Sequence, residues 1–243
     1  MRLKNPPPEL GICPLFADLS REEQADVERL ATRQDFAPGD VLLSQGAPAQ
    51  HLFVLLAGAV RVFLLGGDGQ EVTVKLFVAP AVFGEMELLT RTVHIENVQA
   101  MRGGHLAKFD VAATDRLLDR YPTVCKRLLV DTCARFRTTA KNQGFVAFET
   151  VEQRLAALLL SYVRVCGAPV AGGVQIVWDG LTQDLLARGV AATRKSAQRA
   201  FKRWGQMGIL SRRGRYYVVS DVARFAEIAG EDPPHFDHQI DPA

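Results

Sequence analysis

Nine basic side chains are concentrated in forty of the 243 residues of this chain. Between residues 181 and 220 the only acid is Asp184, so this segment carries +8; the whole chain carries +2, which leaves −6 for the rest. Arginine and lysine donate hydrogen bonds and do not accept them, and such a cluster is typical of a surface that meets a polyanion. The nine residues are Arg188, Arg194, Lys195, Arg199, Lys202, Arg203, Arg212, Arg213 and Arg215.

Two predicted helices and the turn between them carry the first six of these donors. Leu181–Ala187 is predicted to be a short helix capped by Thr182, and Thr193 is predicted to cap a second helix that runs to about Met207. The glycine-containing turn 188–190 between them is typical of a helix-turn-helix. Ala197, Ala200, Phe201 and Trp204 share one face of the second helix, and the other face carries donors suited to the major groove of double-stranded DNA.

The last three arginines are predicted to lie on a β-hairpin. Apolar residues at 209–210 and 216–219 flank the turn formed by Arg212, Arg213, Gly214 and Arg215. This hairpin has the pattern of the wing of a winged helix, where arginines contact backbone phosphate. A helix pair, a basic face and a basic wing together predict DNA binding more specifically than any one of them alone.

The region between residues 35 and 110 is predicted to be a small β-barrel or sandwich. Its short β-rich runs are separated by glycine-containing turns, and Gly66-Gly-Asp-Gly69 is a hairpin signal between two of them. The capping box Ser20–Glu23 predicts a helix over residues 20–32 before this region. The candidate strands are residues 41–46, 51–58, 59–65, 71–78, 94–101 and 105–110.

A long helix over residues 122–148 is predicted to connect the two regions. Seven residues fall on it at alternating spacings of four and three, which is the period of a coiled-coil seam. The seam packs either against a second copy of the chain or against the β-region of its own chain. A second capping box, Thr150–Gln153, places a domain boundary near 147–150. The seam residues are Cys125, Leu129, Thr132, Phe136, Thr139, Gln143 and Val146.

Composition excludes several other classes of protein. The chain is 48% hydrophobic and 23% charged, an ordinary globular balance. Its four cysteines form no C-x-x-C pair, and the longest apolar stretch, residues 52–60, is about half of what a membrane helix needs. We therefore expect a cytoplasmic protein with reduced thiols and no membrane contact. The sequence shows no nucleotide-binding P-loop, metalloprotease motif or catalytic triad, so no enzymatic activity is predicted.

The motifs of the chain resemble those of the cyclic-AMP receptor protein/FNR family of bacterial transcription regulators over nearly its whole length. The motifs are Pro38-Gly-Asp40, Gln45-Gly46, Gly58-Ala-Val-Arg-Val62, Phe83-Gly-Glu85, Ala147-Phe148, Arg154-Leu-Ala156 and the stretch from Leu181 to Leu210.

The resemblance implies an α+β fold with three parts. Residues 1–121 would form a cyclic-nucleotide-binding-like β-barrel of the jelly-roll type, residues 122–148 a dimerisation helix, and residues 149–229 a winged helix-turn-helix domain. The tail 230–243 is acidic and contains proline, and is predicted to be disordered. The resemblance also implies a homodimer that acts with RNA polymerase and whose DNA affinity is modulated by an effector in the β-domain.

For DNA recognition, the resemblance implies roles for individual residues. Thr182 and Gln183 would contact phosphate, while Arg194, Lys195 and Arg199 would face base edges with Ser196 beside them. Position 195 is usually glutamate in the family, which accepts a hydrogen bond from cytosine. Lysine is only a donor, so it favours a guanine edge or a phosphate instead.

The effector pocket implied by the resemblance contains Gly84, Glu85, His94 and Thr139, and it departs from the cyclic-nucleotide pattern. Residues 93–96 read Val-His-Ile-Glu where cyclic-nucleotide binders have an arginine for the phosphate. Without that guanidinium the phosphate loses a charge-assisted pair, so classical cyclic AMP is not the expected effector. Haem with His94 as axial ligand stays open; an iron–sulfur cluster is not expected, since Cys13 is the only cysteine near the N-terminus.

Another class of protein also stays open. A cyclic-nucleotide-binding regulatory subunit that acts on a protein partner would share the β-region. The +8 segment argues against it, because such a subunit needs no helix covered with donors.

Overall fold

Strands and helices follow one another along the chain largely as the sequence patterns indicate, in a computed structural model that describes residues 9–230 and 237–238. The chain divides into two compact units. Of the described residues, the first contains 9–62, Phe77–Arg135 and His238, and the second contains Phe63–Leu76, 136–230 and Asp237. No helix in the described part of the chain is long and apolar enough to cross a membrane.

An antiparallel sheet contributes most of its residues to the first unit, whereas its residues 63–65, 71–76 and 237 belong to the second. Its strands are β1 (Thr32–Phe36), β2 (Val41–Leu43), β3 (His51–Leu65), β4 (Glu71–Val78), β5 (Ala81–Phe83), β6 (Asn97–Asp110) and β11 (Asp237–His238). The order is β1-β6-β3-β4-β11, and β2 and β5 pair with β6 and β3 respectively. Leu52, Val54, Phe109 and Leu117 are among the buried residues of its core.

Four α-helices are formed by residues between 21 and 148: α1 (Arg21–Glu28), α2 (Glu85–Thr90), α3 (Val111–Arg120) and α4 (Pro122–Phe148). The capping box of α1 is formed as predicted, because the Ser20 hydroxyl accepts from the Glu23 N–H at 3.3 Å and the Glu23 carboxylate accepts from the Ser20 N–H at 2.8 Å. The buried face of α4 within this unit is Val124, Leu128, Asp131 and Arg135.

Two pairs of predicted strands are continuous in the structure. Residues 51–65 form one strand, and residues 97–110 form another, although glycines suggested breaks in both. Gly58 has φ +99°, and a Cβ on Gly104 would lie 2.0 Å from the Ala57 carbonyl oxygen. These glycines therefore permit a close backbone approach within the sheet and do not end a strand. The helix predicted over residues 20–32 is shorter in the structure, where it ends at Glu28 and β1 begins at Thr32.

The second unit packs helices around a small sheet. The helices are α5 (Val151–Cys166), α6 (Gln183–Gly189), α7 (Arg194–Gln206) and α8 (Val222–Ala229), and the strands are β7 (Gly167–Val170), β8 (Gly173–Ile176), β9 (Leu210–Arg213) and β10 (Tyr216–Val219). The sheet has the order β7-β8-β10-β9. Trp204 and Phe225 meet edge-to-face with ring centroids 4.8 Å apart, and Tyr162 stacks on Trp178 at 5.5 Å.

The tip of the β3–β4 hairpin groups with this second unit. Thr73 is 1% exposed, and its hydroxyl accepts a hydrogen bond from the Tyr162 hydroxyl at 3.4 Å. The carbonyl of Thr73 also lies near Gly189, where an added Cβ would be 3.7 Å from it. Residues 63–76 thus cover part of α5 although they are distant from it in sequence.

Of the tail predicted to be disordered, the structure describes Gly230 and the two-residue strand β11. The remainder of that prediction lies outside the described residues.

Candidate nucleic-acid interface

Both helices of the predicted helix-turn-helix begin at the predicted caps. The Thr182 hydroxyl accepts from the Leu185 N–H at 3.1 Å, and the Thr193 hydroxyl accepts from the Ser196 N–H at 3.2 Å. Between the helices the chain turns at Ala191, whose φ is +51°. A side-chain acceptor at each start satisfies backbone donors that the helix leaves unpaired, which fixes where α6 and α7 begin.

Helix α7 has a buried face and an exposed basic face. Ala197, Phe201 and Trp204 are buried, whereas Arg194 and Lys195 are exposed. Because residues three and four apart share a face of a helix, packing on Trp204 and Phe201 turns the basic residues toward solvent. The structure therefore brings the predicted base-reading residues together on one surface.

The basic side chains on this surface differ in the hydrogen bonds and ion pairs that they make within the protein. Arg199 Nη2 donates to the Ser196 hydroxyl at 3.3 Å, and Ser196 also accepts from Thr193 at 3.0 Å. Arg194 and Lys195 make no ion pair with any of the described residues. Arg203, farther along the helix, pairs with Glu152 of α5 at 2.8 Å. Of the three residues predicted to face base edges, Arg199 is thus oriented from within α7, while Arg194 and Lys195 keep their donors available.

The wing is a short hairpin whose arginines are anchored by local contacts. Arg212 lies over the Tyr217 ring at 5.1 Å from its centroid, and Arg215 lies over Tyr216 at 5.3 Å. Arg215 also pairs with Asp179 at 3.0 Å. Such exposed contacts contribute about 1 kcal/mol or less and are readily exchanged for a phosphate.

The register of the hairpin refines the predicted turn. Arg212 and Arg213 are the last residues of β9, opposite Tyr217 and Tyr216, and Gly214 turns the chain with φ +61°. Arg213 Nη2 donates to the Ala171 carbonyl at 3.3 Å. Thr182 is exposed and Gln183 is half-buried at the start of α6, in the same unit as the wing.

In the first unit, Glu85 lies in a buried cluster of charges. Gly84 lies between β5 and α2 with φ +79°, and a Cβ there would lie 2.9 Å from the Phe53 ring, so the position favours glycine on both grounds. Glu85 is 2% exposed, and its Oε1 accepts a hydrogen bond from Arg135 of α4. Arg135 also pairs with Asp131 at 3.0 Å. The cluster of Glu85, Asp131 and Arg135 therefore joins α2 to α4.

Two of these three residues were not predicted as part of a site. Asp131 and Arg135 are one helical turn apart on α4, and that spacing was the only signal in the sequence for an ion pair. The Arg135 guanidinium also lies 5.9 Å from the centroid of the Phe77 ring. Glu85 Oε2 has no hydrogen-bond partner among the described residues.

His94 is buried beside α2. Its exposed fraction is 5%, and its Nδ1 lies 3.5 Å from the Glu87 carboxylate. The adjacent Ile95 is 56% exposed. Arg91, which stands near the position of a phosphate-binding arginine, pairs with Asp115 of α3 at 2.8 Å. Thr139 is an exposed residue of α4.

The predicted seam of α4 is exposed over most of its described length. Leu129 is 62% exposed and Phe136 75% exposed, which is unusual for large apolar side chains. Thr132 is half-buried, Cys125, Thr139 and Gln143 are exposed, and the side chain of Val146 lies outside the described residues.

Two family models match the chain, the cyclic nucleotide-binding domain over residues 33–121 and the Crp-like helix-turn-helix domain over residues 153–228. The chain belongs to the cyclic-AMP receptor protein/FNR family. It is a transcription regulator with a cyclic-nucleotide-binding-type domain and a DNA-binding helix-turn-helix domain. The predicted α+β fold class and family are confirmed, and so is the prediction that the protein is not an enzyme, since its relatives are regulators.

Individual relatives are distant but match most of the chain. A CRP-like cAMP-activated global transcriptional regulator of Mycobacterium tuberculosis (strain CDC 1551 / Oshkosh) is 24% identical over 80% of this chain and 87% of its own. A probable transcriptional regulator of Lacticaseibacillus casei is 25% identical over 90% and 97%. A CRP-family regulator of Thermus thermophilus has a similar solved fold, with a TM-score of 0.68, 20% identity and coverage of 86% and 100%.

Proposed function

We propose that the protein binds operator sites in double-stranded DNA as a homodimer, with α7 of each subunit in the major groove and an effector in the β-domain modulating affinity. The division into a sensor domain (1–121), a dimerisation helix (122–148) and a DNA-binding domain (149–229) belongs to this proposal. The observation that carries it is the exposed basic face of α7 opposite a face buried on Trp204 and Phe201.

Within α7 and the wing, base reading and phosphate binding fall to different residues. Arg199 is held by Ser196, which limits its rotamers and suits a bidentate contact with guanine. Arg194 and Lys195, about one turn before it on the same helix, also face base edges, and Lys195 gives a half-site that differs from that of family members with glutamate there. Arg212, Arg213 and Arg215 on the wing, with Thr182 and Gln183, fit phosphate.

Dimerisation is supported by the exposed seam of α4. Leu129 and Phe136 would be costly to leave in water, and they fall at the a/d period at which two helices interdigitate. The buried residues of α4 between Val124 and Arg135 already pack within the first unit, which leaves the exposed Leu129 and Phe136 for contact with a second copy. RNA polymerase is a partner that the family membership suggests.

The effector proposed here is not classical cyclic AMP. Glu85 is held by Arg135, Arg91 is held by Asp115, and the place of the phosphate-binding arginine is taken by residues that include the exposed Ile95. The cluster of Glu85, Asp131 and Arg135 has two carboxylates and one guanidinium, which disfavours a nearby phosphate. Haem at His94 stays an alternative that none of these contacts selects.

The test of DNA binding compares the recognition helix with the wing. Native protein, Arg199→Ala and Arg213→Ala are each used to select sites from random-sequence DNA at two salt concentrations. Arg199→Ala is expected to cost about 1–3 kcal/mol on the preferred site and to relax one position of each half-site. Arg213→Ala is expected to weaken all sequences equally and to flatten the salt dependence.

A matched control is Arg116→Ala, which removes an exposed arginine of α3 outside the proposed interface. It should leave both base preference and salt slope unchanged. If Arg199→Ala and Arg213→Ala could not be distinguished from each other, the division between helix and wing would be wrong. Failure of the native protein to enrich any site would contradict the proposal of sequence-specific binding.

A further inference from the structure

A small cavity, open to solvent, lies between β2 and the beginning of β3 in the first unit. Its volume is about 170 Å³. At about 30 Å³ for each water molecule in the liquid, this is room for about six waters or for one single-ring molecule. The lining combines apolar and polar side chains, including those of Leu43, Ser44, Gln50, His51, Phe53 and His94.

The walls of the cavity are held in place by the protein itself. Two loops, residues 44–50 and 91–96, are joined by backbone hydrogen bonds from Gly46 N to the His94 carbonyl (2.7 Å) and from His94 N to the Ala47 carbonyl (2.9 Å). A third joins Ala49 N to the Thr92 carbonyl at 3.2 Å. These backbone groups are therefore satisfied, and recognition in the cavity falls to side chains.

His94 presents one ring nitrogen with a partner and one without. Its Nδ1 lies beside the Glu87 carboxylate, and its Nε2 has no hydrogen-bond partner among the described residues. In a neutral imidazole, a carboxylate beside Nδ1 selects the tautomer in which Nδ1 carries the proton and Nε2 is an acceptor. A ligand that donates a hydrogen bond would satisfy this nitrogen.

The other groups around the cavity favour an uncharged aromatic ligand. Burial and the nearby Lys108 lower the pKa of His51, so its imidazole is neutral at pH 7. With Glu87 behind His94, an anion would meet a carboxylate and no fixed positive charge among the lining residues. The Phe53 ring packs 5.9 Å from His51 and is stacked on Phe83 at 5.0 Å, which forms an aromatic wall.

We propose that this cavity binds a small uncharged molecule with one aromatic ring and a hydroxyl or ring N–H group. The donor group bonds to His94 Nε2, and the ring packs against Phe53 and Leu43. The regulatory meaning of this site rests on the proposed function, because the ligand would then be the effector. Glu87 and Glu85 both lie on α2, so the cavity connects through His94 and α2 to Arg135 of α4 within the same unit.

The binding test uses phenol as the probe and anisole as its matched analogue, which has a similar ring but no donor. Imidazole resonances of ¹⁵N-labelled full-length protein are followed by NMR and assigned with His94→Gln and His51→Gln. Phenol is expected to shift both histidines saturably and to bind at least tenfold more tightly than anisole. Equal binding of the two, or tighter binding of benzoate, would overturn the proposed chemistry.

A variant that fills the cavity tests its location. Ala47→Leu places a larger side chain in the lining without removing a polar group and should weaken phenol binding at least tenfold. Ala112→Leu makes the same change on an exposed face of α3 and should have no effect. If both variants bound phenol like the native protein, the cavity would not be the site.

DNA affinity, measured with and without phenol, separates this proposal from the proposed function. Phenol is expected to change operator affinity at least threefold in the native protein and not in Ala47→Leu. Intact DNA binding without any phenol-dependent NMR shift would overturn the site alone. Saturable phenol binding by a protein that recognises no DNA would contradict the proposed function and leave the binding site supported.

Discussion

Replacing Arg135 by methionine should destabilise the first unit by about 3–5 kcal/mol, the usual cost of leaving buried charges without their partner. Glu85 and Asp131 are 2% and 5% exposed, and Arg135 is the cation that pairs with both. Methionine keeps most of the apolar side-chain volume over Phe77, so the loss is mainly electrostatic. Urea unfolding, followed by circular dichroism, measures the change in the free energy of unfolding.

Two further variants identify the cause of that loss. The triple variant Glu85→Gln, Asp131→Asn, Arg135→Met removes all three charges and should recover more than half of the lost stability. Arg137→Met, on an exposed position of α4, should change stability by less than about 0.5 kcal/mol. If the triple variant were as unstable as Arg135→Met alone, buried charge would not explain the effect and packing of Arg135 would have to be considered instead.

Three other predictions concern the seam, the effector and a buried thiol. The double variant Leu129→Glu, Phe136→Glu should sediment as a monomer and bind DNA weakly, because a dimer would bury unpaired charge at the seam. Val130→Glu, at a similarly exposed position on another face of α4, should still sediment as a dimer. A dimeric double variant would contradict the seam as the dimer interface. Calorimetry should show no tight, stoichiometric binding of cyclic AMP, and tight binding would refute the interpretation of residues 93–96. Burial raises the pKa of Cys13 to about 12, so at pH 8 only about one molecule in ten thousand has the reactive thiolate. Iodoacetamide should therefore label the exposed Cys125 and Cys133 before Cys13. Early labelling of Cys13 in the native protein would contradict its burial.

Local signals in the sequence were sufficient for the helix-turn-helix. Capping by Thr182 and Thr193 depends only on the residues that follow directly in the sequence, and the two faces of α7 follow from the helical period alone. Features of this kind depend on neighbours three or four residues away, which a sequence displays directly.

Contacts between distant residues could not be predicted in the same way. Glu85 and Arg135 are fifty residues apart, and their pairing depends on how α4 lies against α2. Gly58 and Gly104 have the composition of strand breaks, and only their pairing across β3 and β6 shows that they permit close approach. The sequence therefore identified Glu85 as a candidate of the effector pocket but not Arg135, which neutralises it.

The docking of residues 63–76 on α5 has a consequence for how the DNA-binding half can be separated or exchanged. A fragment beginning at residue 149 would lack Thr73 and leave the hydroxyl of Tyr162, a fully buried residue, without this partner. A chimera that joins this C-terminal half to the β-domain of a relative would bring a foreign hairpin against Tyr162 and Gly189. A functional exchange between relatives should therefore transfer residues 63–76 together with α5, although the two segments are separated in the sequence.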